Sequence, residues 1–225
     1  MTKVLVFDSG PLINLSMNGL LYLLEKLKKA SNTKFIITLD VKHETIDCQL
    51  EIQRFELEAL QLKQLMDSKI IELPDSLGIS QGELAEKTSS LKNIANNLLY
   101  QGNSPIEIVS QSEMSCLALS EILTEKGIEN IIAIDERTTR MITENPKNLE
   151  NIISNKIHQQ VKLSNKNITE FKQFKFIRSS ELVFVAYKKG LSDIKDKKVL
   201  EAMIYATKFK GAAISLDEIN VLKKL

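Results

Sequence analysis

Residues 3–15 read KVLVFDSGPLINL, and the change of character inside this stretch decides the fold. Val4, Leu5, Val6 and Phe7 make an uninterrupted apolar run that is stopped by Asp8, Ser9, Gly10 and Pro11. Such a run, closed by a carboxylate, a small hydroxyl, a glycine and a proline, predicts a buried strand feeding a loop. Pro11 then suits the first turn of a helix capped by Ser9 or Gly10. Leu12, Leu15, Gly19, Leu20, Leu23, Leu24 and Leu27 carry an amphipathic pattern on to Lys29. Asp8 therefore falls where a strand ends and a helix begins. At the carboxyl edge of an α/β sheet this place suits a metal ligand or a nucleophile, and it suits a plain helix cap equally well.

Working outward, the alternation repeats. After a turn at 31–33, KFIITL (34–39) predicts a second strand, with Asp40 capping a short helix over 41–47 and a longer amphipathic helix over 50–66. KIIEL (69–73) predicts a brief strand, and 75–82 a loop. Ser80-Gln81-Gly82-Glu83 and Ser110-Gln111-Ser112-Glu113 share capping-box spacing. The first opens a helix to Tyr100; the second opens one through Met114, Leu117, Ala118 and Ile122 that stops at Gly127. Ile131 to Ile134 is another apolar run ended by an acid, Asp135. Helices are expected over 148–163, 179–189, 197–208 and 217–222, a turn at 165–167 and a last short strand at 174–177. Strands separated by helical stretches, without tight hairpins, predict an α/β domain with a mainly parallel central sheet and helices on both faces. Its core would span about 1–145, and residues 146–225 would form a helical, basic C-terminal extension.

Composition narrows the chemistry. With 225 residues, 43% hydrophobic and 26% charged, the chain has the balance of one soluble globular domain. No run approaches the roughly 18 apolar residues of a membrane-spanning helix, and no signal-peptide grammar stands at the start, so a cytoplasmic protein without a membrane partner is expected. Cys48 and Cys116 lie in helical patterns without metal or pairing spacing and are expected in the core. Only two histidines are present, which leaves a His-based triad or zinc site little to draw on. Carboxylates must carry the chemistry. Residues 1–150 hold 15 Lys/Arg against 22 Asp/Glu, whereas 151–225 hold 15 against 7, as would suit an acidic metal site beside a polyanion-binding surface.

Four acids occupy comparable places: Asp8 after the first strand, Glu44 after the second, Glu113 at a helix start and Asp135 after IIAI. In a parallel sheet these positions converge on one edge, although they are 36, 69 and 22 residues apart. Converging carboxylates repel one another unless a hard cation such as Mg²⁺ or Mn²⁺ sits among them, and such a site can activate water against a phosphodiester. Each acid also has a plainer explanation: Glu113 as a capping-box residue, Glu44 as an exposed helix residue beside a surface His43, Asp135 and Glu136 as helix-terminal acids.

The segments FDSGPLINL, TLDVKHETI, SQSEMSCLALS and IIAIDERTTR resemble, in order and flanking residues, the four acidic motifs of PIN domains. IRSSELVFVAYKKGL and KKVLEAMIYATKFKG are similar to the ending of stand-alone prokaryotic members. The resemblance implies a metal-dependent nuclease, most often an endoribonuclease using Mg²⁺ or Mn²⁺, with Asp8, Glu44, Glu113 and Asp135 as catalytic metal ligands and Ser9 and Glu136 beside them. It also implies RNA as substrate, an antitoxin or other protein partner in toxin-type members, and a homodimer. Residues 67–109 are longer than compact members need, and the third acid is Glu where many members have Asp.

A nuclease must hold a polyanion beside its acids. The cations offered are Arg137 and Arg140 after Asp135, then Arg178, Lys188 and Lys189, with Lys172, Lys175, Lys195, Lys197 and Lys198 on the same basic side. The rival enzyme, a phosphohydrolase with Asp8 as nucleophile, would want a second Asp where Gly10 stands, and a signalling receiver would want a paired acid and a late lysine that the chain lacks. The non-enzymatic rival is a PIN-like RNA-binding or protein-interaction module with weak or lost turnover.

Overall fold

The run Val4–Phe7 lies in the middle of a sheet. The computed structural model describes residues 3–164, 171 and 173–225. In chain order it contains β1 (Lys3–Phe7), α1 (Ser9–Met17), α2 (Tyr22–Lys29), β2 (Thr33–Ile36), α3 (Leu39–Lys42), α4 (Glu56–Asp67) and β3 (Ile71–Glu72). Then come α5 (Gln81–Ala95), β4 (Leu99–Gln101), β5 (Ser104–Pro105), α6 (Gln111–Glu125), β6 (Asn130–Ala133), α7 (Arg137–Glu144) and α8 (Pro146–Ile157). The chain finishes with β7 (Lys162–Leu163), β8 (Phe176–Ile177), α9 (Ser179–Lys188), α10 (Val199–Phe209) and α11 (Leu216–Lys224).

The central sheet has the order β3-β2-β1-β6-β8, and every neighbouring pair is parallel. From β1 the chain steps outward to β2 and β3, then returns to place β6 and β8 on the other side. The direction thus reverses between β1 and β6, and the crevice beyond the carboxyl ends of those strands is where sheets of this kind bind ligands. Strand alternation assigns the two faces. Asn130 bonds with its side chain to Ser120 and Thr124 of α6, whereas its neighbour Ile131 lines a cavity with Leu27 of α2 and Leu182 of α9. So α6 covers one face and α2 with α9 the other. Phe7 and Phe35 meet edge to face at 5.5 Å across the strand pair.

Several expectations change. The single first helix is two, because Gly19 takes φ +65° and its N–H, with that of Leu20, closes a Schellman turn onto Ser16 and Leu15. The cap of α1 is Asp8 rather than Ser9 or Gly10, and α3 is capped by Thr38 rather than Asp40. Residues 43–47 form a π turn, which adds a residue to the turn and rotates the chain beyond it by about 100°. That rotation leaves Cys48 exposed instead of buried, with Sγ 3.3 Å from His43 Nε2; Cys116 is buried as expected. The helix expected over 50–66 begins only at Glu56, after a short 3₁₀ turn at Gln49–Glu51.

The expected absence of tight hairpins also fails. Gly102, at φ +60°, and Asn103 turn β4 into β5, and β7 joins them in a three-stranded antiparallel sheet. This ends α5 at Ala95 instead of Tyr100 and α8 at Ile157 instead of Leu163. The basic extension is not wholly helical either: β8 pairs with β6 and completes the central sheet. The turn expected at 165–167 and Lys172 lie outside the described residues.

Candidate metal centre at the carboxyl edge of the sheet

Asp8 leaves β1 with its backbone N–H bonded to Ala133 O of β6 at 2.9 Å, which pins it at the reversal point of the sheet. Its Oδ2 accepts from Gly10 N at 3.3 Å and caps α1. Its Oδ1 is buried and has no hydrogen-bond partner among the described residues. Burial, then the charge of Glu113, and more weakly that of Glu44, push the Asp8 carboxyl up to about 8, against the pull of the Gly10 and Ser9 N–H groups. A buried, half-satisfied carboxylate facing two further acids is costly as an anion and wants a cation or a proton.

Glu44 projects from the π turn and is gripped from two elements. Ser9 Oγ at the start of α1 donates to its Oε1 at 3.1 Å, and Ser112 Oγ in the first turn of α6 donates to its Oε2. Glu113 sits one residue further along α6. The capping box expected from the sequence is complete: Ser110 Oγ accepts from Glu113 N, and Glu113 Oε2 accepts from Ser110 N at 2.9 Å. The same oxygen accepts from Thr139 Oγ1 at 3.0 Å, so Glu113 is both helix cap and member of the acid cluster. Burial, then repulsion from Glu136, raises its carboxyl despite the Ser110 and Thr139 hydrogen bonds.

Asp135 is placed differently. It follows β6 and is buried, and its oxygens are held by protein: Oδ1 by Ser179 N at 2.8 Å, Oδ2 by Ser179 Oγ at 2.7 Å and by Asn14 Nδ2 at 3.0 Å. Burial raises its carboxyl as well, and these three donors work against the rise. Glu136 caps α7 through Thr139 N at 2.8 Å. An ideal Cβ on Gly10 would lie 3.5 Å from both Asp8 Oδ2 and the Asp135 Cβ, so the two acids flank a gap one methyl group wide.

The sheet therefore draws Asp8, Glu44 and Glu113 into electrostatic contact and sets Asp135 beside Asp8 with its oxygens turned to Ser179 and Asn14. Among the described residues, no three carboxylate, imidazole or thiol side chains gather closely enough to hold one metal ion between them. No protein-family model, curated protein or solved structure matches this chain. The donor set is carboxylate and hydroxyl oxygen throughout, which suits a hard cation, and the orphaned Asp8 Oδ1 is an atom that such a cation would satisfy.

Sequence reasoning missed Asn14, Ser112 and Ser179 as site residues. Asn14 carried a signal: it is a polar residue on the buried stripe of α1, 1% exposed, between Leu12 and Leu15. Of the cations offered for RNA, Arg137, Arg140 and Arg178 share one cavity next to Asp135. Lys188 instead donates to the backbone oxygen of Leu225, and Lys189 borders the apolar cavity under α2 and α9.

Proposed function

We propose that this chain is a PIN-like, metal-dependent nuclease that hydrolyses RNA phosphodiester bonds at the carboxyl edge of its parallel sheet. The observation that carries the reading is Asp8: a buried carboxylate at the sheet's reversal point, with one oxygen unpartnered among the described residues and two acids raising its charge cost. Asp8 and Glu113 would hold Mg²⁺ or Mn²⁺, with Glu44 as a further ligand or as the group that orients a water. When bound, the cation would supply a polarised water and charge stabilisation at phosphorus.

The chain's own residues prepare this site. Ser9 and Ser112 fix the Glu44 carboxylate in place, so it would meet a substrate water without first losing rotamer freedom. Ser179 and Asn14 keep Asp135 oriented beside Asp8, where its charge strengthens the field felt by a cation without requiring direct ligation. The antitoxin partner and the homodimer implied by the resemblance belong to this same reading. A second reading, binding of RNA or protein without turnover, draws on the three protein donors that occupy Asp135.

Incubation of a mixed single-stranded and structured RNA pool with Mn²⁺, with Mg²⁺ and with chelator, comparing wild type with Asp8→Asn, separates the two. Cleavage that needs metal and disappears in Asp8→Asn supports the nuclease. Cleavage by Asp8→Asn at the wild-type rate would sink the site assignment, and RNA binding in chelator with no cleavage by either protein would favour the binding module.

A further inference from the structure

Next to Asp135, α7, the end of α10 and the segment 212–215 border a cavity of about 450 Å³. Arg137, Arg140, Arg178 and Lys208 line it, against the carboxylates of Glu144 and Glu218. Arg178 is matched by Glu181 and Glu218. Arg140 is not matched as closely: Glu144 stands 3.7 Å away, and the Arg140 Nε is buried without a partner among the described residues. Its Nη2 and the Nη1 of Arg178 both donate to one carbonyl, Ala213 O, at 3.1 and 3.0 Å. Two guanidinium groups crowded on one oxygen, with Arg137 and Lys208 beside them, make an anion the natural occupant of the space between.

The rim carries a second and independent feature. Phe209 is 79% exposed at the cavity's mouth, its ring stacked on Tyr205 with centroids 6.0 Å apart and planes 24° from parallel. An aromatic so exposed gains nothing from the core, and beside a cationic cavity it presents a face on which a nucleobase can stack. The cavity is tied to the acid cluster: Ala213 N donates to Asp135 O, and Asn14 bridges Asp135 to Thr207 O.

We propose that this cavity is a nucleotide subsite, which takes a phosphate between Arg137, Arg140 and Lys208 and stacks the attached base on Phe209. That the nucleotide belongs to the RNA strand cut at Asp8 rests on the nuclease reading above; that the cavity binds a nucleotide does not. Arg137 and Phe209 are exposed, so their substitution leaves the fold intact, and Lys63, an exposed lysine of α4, serves as the charge control.

The test is anisotropy of a fluorescently labelled single-stranded RNA oligonucleotide titrated in chelator, so that cleavage plays no part. Phe209→Ala and Arg137→Ala are each expected to weaken binding about tenfold, and Arg137→Ala to lower the slope of log affinity against log salt by about one, while Lys63→Ala changes neither by as much. Displacement of the labelled RNA by adenosine monophosphate would assign a free or terminal nucleotide, and resistance to it, with the Phe209 and Arg137 effects intact, would assign a nucleotide within a strand. If Phe209→Ala and Arg137→Ala bind as wild type does, or weaken no more than Lys63→Ala, the subsite is overturned. If they weaken as expected while wild type never cleaves RNA with metal present, the nuclease reading falls and the subsite stands.

Discussion

A single carboxylate oxygen at Asp8 concentrates the physics of the site. Its folded carboxyl titrates at about 8, far above the ordinary aspartate value of about 4. Below pH 4 the group is protonated in both folded and unfolded chains, and as pH rises toward 8 only the unfolded chain releases the proton freely. Metal-free protein should therefore lose stability between pH 4 and pH 8, by on the order of 5 kcal/mol from this group. Asp8→Asn should lack that loss and be more stable than wild type at pH 8 in chelator, whereas Mn²⁺ should restore wild type only. Urea unfolding midpoints at pH 5 and pH 8 decide it, and parallel pH slopes for the two proteins would remove Asp8 from the centre of the cluster. Ser179→Ala deletes one of three donors to Asp135 and should cost about 1–2 kcal/mol in the same assay. At this scale the sequence disclosed which acids stand at strand ends, because a strand's last residue is a matter of local pattern. It did not disclose that Ser179 and Asn14 hold Asp135, because those contacts join residues 44 and 121 positions apart and leave no periodic trace.

Elements were legible where a terminus carried its own chemistry. The Ser110 capping box and the Gly127 stop of α6 are local devices and appear unchanged in the structure, with Gly127 and Ile128 closing a Schellman turn onto Thr124 and Leu123. Ser110→Ala removes the Oγ that accepts from the Glu113 N–H and should cost about 1 kcal/mol of stability by thermal melting, while the backbone N–H of residue 110 still holds the Glu113 carboxylate, so the metal response should change little. Gly19 passes for one more position of an amphipathic helix, because leucines resume at the same spacing on either side. The break becomes visible only as a positive φ, and Gly19→Ala should cost about 1 kcal/mol although nothing lies within 4 Å of the added methyl. A cost near zero by thermal melting would mean that α1 and α2 can fuse. The β4–β5 hairpin had a signal, Gly102-Asn103 between two short extended runs, hidden by the helical pattern that led up to it.

At the scale of the molecule, Arg178 braces the end of the sheet to the last helix. It donates to Glu181 in its own helix and to Glu218 in α11, with Nη1 2.7 Å from Glu218 Oε1. Burial pushes the Glu218 carboxyl up, but the Ser215 N–H and Arg178 outweigh it and hold the carboxyl down at about 2. Its contribution is therefore present above pH 4.5 and is lost as pH falls toward 2, so acid should release α11 before the central sheet. Hydrogen exchange at pH 3 should find α11 less protected than β1 and β6, and equal protection would remove Arg178 as the brace.

The order in which the chain supplies its parts has a consequence during synthesis. Residues 1–135 contain β1, β2, β3 and β6, all four acids and one donor to Asp135, Asn14, but the other two donors and the carbonyl and amide that tie the neighbouring cavity to it come from Ser179, Thr207 and Ala213. A nascent chain that has emerged only through α7 therefore presents its acids with the Asp135 part of their frame incomplete. Translation must pass residue 213 before the frame closes, so whatever the acid edge does when complete, a chain released early cannot do it.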